Sequence, residues 1–379
     1  MDKLKNKLLL QPSGLNSHFL GEGLAFDAYI QLMQDVIKKS RIDLTSQNAL
    51  QIINANSPFS RTPKDQPVKN GVLLIHGLFD SPYYVHDLGE YFLDKNFLVQ
   101  SILLPGHGTV PGDLLDIGYR EWVKAVQYGV ATLEQQVENI YLVGYSLGGL
   151  LSLHHALNNT KTNIKGIILF APALQPKSQL KYYLAKYYKL FGWINQRAKW
   201  FEIQENINYT KYSCFPFNAG FQVCKLLNLV QHALKQRQIE VPLFITISTD
   251  DETISDKGII SFFLQQSNPK NKLLLYTNDN HSLKDKRILV KDSHFPQLKI
   301  INFSHTCLMI SPENVLFGEA SHFLDLQHYP NSHNIQKEDL YRGAASKGNL
   351  KNYRISRLSY NPDFKNLLEN IDDFLSSIN

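Results

Sequence analysis

An apolar run, Ile140-Tyr141-Leu142-Val143, is followed directly by Gly144-Tyr145-Ser146-Leu147-Gly148-Gly149 and then by Leu150-Leu151-Ser152-Leu153-His154-His155-Ala156. That order predicts a strand, a sharp turn and a helix, with Ser146 at the apex. A residue at such an apex is pressed into a strained backbone region. Side chains two residues to either side would crowd the strand against the helix, so glycine is required there. Gly-x-Ser-x-Gly in this setting is the pattern of a nucleophile elbow. The competing reading is an ordinary glycine-rich turn.

An elbow of this kind needs an oxyanion donor upstream, then an acid and a histidine downstream in that order. Upstream, Val72 to Ile75 is a continuous apolar run, as expected for a strand buried on both faces of a parallel sheet, and His76-Gly77 ends it. The backbone N–H groups of Leu78 and Leu147 can face a developing oxyanion, a contribution of roughly 3 kcal/mol each. His76 itself reads as a turn histidine that hydrogen-bonds the loop rather than as a proton carrier.

Downstream, Val241 to Ser248 reads as another buried strand and runs into Thr249-Asp250-Asp251-Glu252-Thr253. A carboxylate just past a strand end can orient a histidine and stabilise its imidazolium. Three acids crowd this turn, and the pattern alone does not choose among them. Leu298 to Phe303 reads as a last strand, followed at once by Ser304-His305-Thr306. His305 is the candidate general base. His281, which follows the strand-like Leu273 to Tyr276, is its main rival, and His294 is a lesser one.

The chain resembles the α/β-hydrolase superfamily, and within it the bacterial carboxylesterases and monoacylglycerol lipases. The matching pieces are His76-Gly77-Leu78 with Ser81-Pro82, Leu104-Pro105-Gly106-His107-Gly108, Gly144 to Gly149, Phe170-Ala171-Pro172-Ala173, the Asp251 turn and Ser304-His305. The resemblance implies a mostly parallel central sheet flanked by helices, with a cap or lid insertion. In that group the acid lies nine residues after the proline that opens its strand, which from Pro242 is Asp251. It implies the triad Ser146, Asp251 and His305, oxyanion donors at Leu78 and Leu147, and ester hydrolysis without metal or organic cofactor. A thioesterase or amidase on the same triad, or a non-catalytic binding member of the fold, are the alternatives. Asp80 departs from the small residue usual at its position and either reshapes the acyl pocket or caps the helix near Ser81. The long interval from Asp251 to His305 and the residues after His305 are further departures.

Alternating strands and helices predict strands at 72–76, 98–104, 140–144 and 164–170, and helices near 84–95 and 119–138. Trp122, Val126, Val130, Leu133 and Val137 form the apolar stripe of the last. Residues 1–66 read as an N-terminal extension with a helix from Ala25 to Lys39 and a linker marked by Pro58, Pro63 and Pro67; residues 67–379 read as the catalytic domain. Within it, residues 174–238 interrupt the alternation and are rich in aromatics and lysine, among them Tyr182, Tyr187, Phe191, Trp193 and Trp200. They read as a lid that packs one face on the core and lines an acyl pocket with another, with weak contact to a lipid surface as a sharper version. Asn361-Pro362-Asp363 opens a final helix.

With 379 residues, 43% of them hydrophobic, the chain can bury one large α/β domain with insertions. A net charge of +5, scattered, with no nucleic-acid motif, gives no sign of a nucleic-acid partner; the resemblance implies a small-molecule or lipid ester as substrate. Three cysteines without metal-ligand spacing suggest a reducing, cytoplasmic compartment. Leu8-Leu9-Leu10 is too short for a signal-peptide core, and no run approaches the ~18 apolar residues of a membrane span. His107, His154, His155, His322, His328 and His333 read as structural, with no metal-ligand spacing.

Overall fold

The computed structural model describes residues 8–64, 67–159, 163–177, 196–205, 208–279, 283–329, 335 and 339–378. They fall into two units, one of residues 1–164 with 178–237 and one of residues 165–177 with 238–379.

The first unit opens with helices α1 (Phe26–Ser40) and α2 (Ala49–Asn56) and the short strand β1 (Phe59–Arg61). Strand β2 (Asn70–Ile75), helix α3 (His86–Asp94), strand β3 (Phe97–Ile102), helix α4 (Tyr119–Glu134), strand β4 (Asn139–Tyr145) and helix α5 (Leu147–Asn158) follow. The strand order is β1-β3-β2-β4. β2 lies parallel to both neighbours, Val72 opposite Val99 and Tyr141. Val72 to Ile75 and Ile140 to Val143 are fully buried, which is why these strands are unbroken apolar runs. The α4 stripe, Trp122, Val126, Val130 and Leu133, is buried as its helical spacing requires. The segment read as a linker contains β1, which pairs antiparallel with β3, Phe59 opposite Ser101.

The N-terminal extension grips the loop that follows β3. Ser13 donates from N and Oγ to the two carboxylate oxygens of Asp113 at 2.6 and 2.8 Å, and Thr109 Oγ1 donates to the same group at 2.5 Å. Asn16 donates to His107 O, Tyr29 OH to Leu103 O and Arg41 to Gly108 O. Further along the first unit, Trp200–Glu202 pairs antiparallel with Phe215–Pro216, and helix α6 (Phe217–Gln236) follows. Its Ala219, Leu226, Leu227 and Val230 are buried, and it packs against α5. This part of the expected lid is therefore a helix of the first unit's core. Tyr182, Tyr187, Phe191 and Trp193 lie outside the described residues.

The second unit has four parallel strands in the order β5-β6-β7-β8: β5 (Ile164–Phe170), β6 (Leu243–Ser248), β7 (Lys272–Thr277) and β8 (Ile288–Asp292). Helix α7 (Asp256–Gln265) is capped by Ser255 Oγ, which accepts from Gly258 N at 3.2 Å. The expected strand at Leu298 to Phe303 does not form. Pro296–Leu298 is a 3-10 turn, Lys299 is left-handed at φ 53°, and Ile300 folds back to exchange hydrogen bonds with Phe295. Proline supplies no donor to a ladder, and the left-handed residue breaks extension. The last strand of this sheet is Ile288–Asp292, β8, instead.

The chain then forms β9 (Tyr341–Gly343), α8 (Lys347–Asn352), β10 (Ile355–Arg357), parallel to β9, and α9 (Phe364–Ile378). α9 buries Phe364, Leu367, Ile371, Phe374 and Leu375, and the Phe374 ring lies 5.7 Å from that of Phe244 on β6.

Asp113→Ala strips acceptors from Ser13 and Thr109 and lowers the unfolding free energy by about 2 kcal/mol, read from urea midpoints. An unchanged midpoint would mean that the grip of the N-terminal extension adds no stability.

Candidate functional site

β4 passes into α5 through Ser146 alone. Its φ of 50° and ψ of −108° lie where a residue with a side chain rarely sits, at a cost on the order of 1–3 kcal/mol. The neighbouring glycines make the turn fit. A Cβ at Gly144 would stand 2.5 Å from the carbonyl of Gly148, and one at Gly148 would stand 2.1 Å from Ile75 O. Ser146 is half-buried and Leu147 fully buried. As the first residue of the helix, Leu147 has an N–H that the helix itself does not use.

The loop of Leu78 leaves β2 at the same end at which Ser146 leaves β4, since Ile75 stands opposite Gly144 in parallel register. A second segment of the first unit holds this loop. Tyr212 N donates to Phe79 O at 2.9 Å, the Phe79 ring stacks on Phe215 at 4.5 Å, and Lys211 lies 3.4 Å from the buried Asp80 carboxylate. Phe79, like Ser146, has positive φ, 71°. His76 uses both ring nitrogens to pin loops together: Nδ1 donates to Gly77 O at 2.8 Å, and Nε2 accepts from Leu104 N at 3.1 Å. Burial holds His76 well below the usual imidazole range and pushes His107 down to about 4.

In the second unit, Asp251 and His305 meet. His305 Nδ1 lies 2.7 Å from Asp251 Oδ2, with Asp251 fully buried and His305 7% exposed. The other carboxylate oxygen accepts from Thr253 N and Ile254 N, each at 2.8 Å. A carboxylate can only accept, so the neutral ring carries its proton on Nδ1 and its lone pair on Nε2. The other two acids have different duties. Asp250 accepts from Asn302 at 2.9 Å, and Glu252 accepts from the backbone N of His305 at 3.0 Å. The role of Glu252 carries no signal in the sequence, because its partner is a backbone group.

The rival His281 and the tail residue His333 lie outside the described residues. His294 contacts Ile301 O and His328 contacts Ile355 O, both structural. Cys214, Cys224 and Cys307 are free and buried, and burial raises each thiol, Cys224 to about 11. Among the described residues no helix is long and apolar enough to cross a membrane.

Two predictions follow from this geometry. Gly148→Ala drives a methyl group into Ile75 O and destabilises the fold by about 3 kcal/mol in urea unfolding, and a neutral substitution contradicts the close approach. Unfolded histidine takes up a proton below about pH 6.5, whereas folded His107 resists down to about 4. The stability held by this neutral ring is therefore complete above pH ~6.5 and falls as the pH drops towards 4, by about 1.4 kcal/mol per unit. His107→Gln flattens that acid limb, and equal slopes in the two proteins refute the assignment.

A family model described as serine aminopeptidase, S33, matches residues 66–216. The thermostable monoacylglycerol lipase of Bacillus sp. (strain H-257) is 35% identical over 86 residues, 23% of this chain and 34% of that protein. The carboxylesterase of Bacillus subtilis (strain 168) is 34% identical over 122 residues, 31% of this chain and 48% of that protein. The chain thus spans less than half the length of these two curated relatives. A solved structure of metagenome-derived lipolytic enzymes, LipS and LipT, aligns with a TM-score of 0.50 at 21% identity, covering 58% of this chain and 86% of that one. The likeness is one of fold, a mostly parallel central sheet flanked by helices.

Proposed function

We propose that this chain, an α/β hydrolase that resembles carboxylesterases and monoacylglycerol lipases, is a serine hydrolase that cleaves carboxylic esters. The observation that carries the reading is Ser146, held at φ 50° on a one-residue turn between strand and helix. The chain order Ser146, Asp251, His305 supports it, as do the names of the relatives. Ser146 attacks the ester carbonyl while His305 takes its proton at Nε2. Asp251 holds the ring in the tautomer that leaves Nε2 basic and stabilises the imidazolium that forms. The N–H groups of Leu78 and Leu147 stabilise the tetrahedral oxyanion. His305 then protonates the leaving alcohol, and water resolves the acyl-enzyme by the same route.

The description of the matching family as a peptidase favours a second reading, amide hydrolysis on the same three residues. In either reading the part of residues 174–238 that precedes α6 is the proposed lid, and a lipid surface is the substrate phase that its aromatic and lysine content suits.

The test uses p-nitrophenyl esters, monoacylglycerols, acyl thioesters and aminoacyl anilides, with a fluorophosphonate label in parallel. Ester turnover falls by about 10⁴ or more in Ser146→Ala and in His305→Ala, and the label attaches to the wild type but not to Ser146→Ala. Turnover of anilides alone selects the amidase reading. Folded wild type that neither turns over nor takes the label contradicts both.

A further inference from the structure

We propose that Arg357, acting through Glu252, is a positioning residue for His305, so that the segment after the histidine braces the general base. The inference rests on the role given to His305 above. Glu252 stands next to Asp251 in one turn, and the two carboxylates hold the histidine at two points. Asp251 takes the ring at Nδ1, and Glu252 Oε2 takes the backbone N at 3.0 Å. The other oxygen of Glu252 is ion-paired with Arg357 Nε at 2.8 Å. Arg357 Nη1 reaches a second carboxylate, Asp325 Oδ2, at 3.3 Å, and Arg357 N donates to Asp325 O at 2.9 Å. The guanidinium is therefore fixed by its own backbone and by a second acid before it reaches Glu252.

These groups sit where an ion pair has force. The side chains of Glu252, Arg357 and Asp325 are 13, 23 and 10% exposed, so water screens them only in part. The brace continues one residue further along the chain. Leu358 O accepts from Ser304 Oγ at 2.6 Å and from Thr306 Oγ1 at 3.3 Å, the two residues flanking His305. Leu358, just past β10, thus grips the histidine loop on both sides, and Arg357, through Glu252, holds it at the histidine itself. A ring held at Nδ1 alone can still swing with its backbone. Holding the backbone N as well fixes the direction in which Nε2 points, and proton transfer depends steeply on that direction.

The test compares Arg357→Met, Arg357→Lys, Glu252→Gln and Glu252→Ala with wild type in kcat, KM, unfolding midpoint and the NMR signal of the His305 Nδ1 proton shared with Asp251. Arg357→Met is expected to lower kcat about tenfold with KM within about twofold, and to broaden or shift the Nδ1 signal. Arg357→Lys recovers part of the loss. Adding Arg357→Met to Glu252→Ala lowers kcat no further, because both act through one path. Glu252→Gln, which keeps an acceptor for His305 N but loses the ion pair, falls between wild type and Glu252→Ala and carries the test if Arg357→Met does not fold. Unchanged kcat and an unchanged Nδ1 signal in folded Arg357→Met overturn the proposal, as do losses that multiply in the double variant. If the wild type hydrolyses nothing, the role given to His305 fails, while the Nδ1 signal still decides whether Arg357 positions the ring.

Discussion

β4 can hand over to α5 in one residue only because hydrogen atoms stand at Gly144 and Gly148, one against the helix backbone and one against Ile75 O. That close approach sets the φ of Ser146, lifts its side chain clear of the strand and leaves the first helical N–H groups at the turn. It also ties the elbow to β2, whose carbonyl it touches, and so to the loop of Leu78. The loop of Leu78 and the Ser146 turn are thereby referred to one pair of adjacent parallel strands. Strain of this kind persists only when its surroundings over-determine it, and at Ser146 backbone packing does so.

The terminal segments hold loops as well as packing on the sheet. The N-terminal extension spends its polar side chains on the loop after β3: Ser13 and Asn16 reach Asp113 and His107, Tyr29 reaches Leu103, and Arg41 reaches Gly108. The C-terminal segment does the same for the loop of His305, through Leu358 O and the Glu252–Arg357 pair. Loops at strand ends have few apolar contacts of their own, so hydrogen bonds from distant segments are an economical means of fixing them.

What the sequence made legible follows from what each element buries. β2, β4, β5, β6 and β7 are covered on both faces and read as plain apolar runs. β8 has one buried residue, Ile288, while Leu289 and Val290 are 36 and 40% exposed, so its run lacks the two-sided burial that marks the inner strands. Leu298 to Phe303 carries the same apolar letters, yet Pro296 and the left-handed Lys299 turn it into a tight loop. β1 is three residues long and half-buried, too little to register as a period. Among the acids of the Asp250 turn the letters alone do not choose; the family resemblance, through its interval from Pro242, implies Asp251, and the 2.7 Å contact to His305 is made by that carboxylate. Glu252 and Arg357 were beyond reading, because a carboxylate on a backbone N–H and an arginine 105 positions away, from 252 to 357, leave no pattern in the letters.

The central claim is that Ser146 carries the acyl group between the two halves of the reaction. Rapid acid quenching during turnover of a p-nitrophenyl ester, followed by peptide mass spectrometry, tests it most directly. The account predicts an acyl mass increment on the peptide containing Ser146, and on no other. Turnover with no increment there, or with the increment on a different residue, would contradict it.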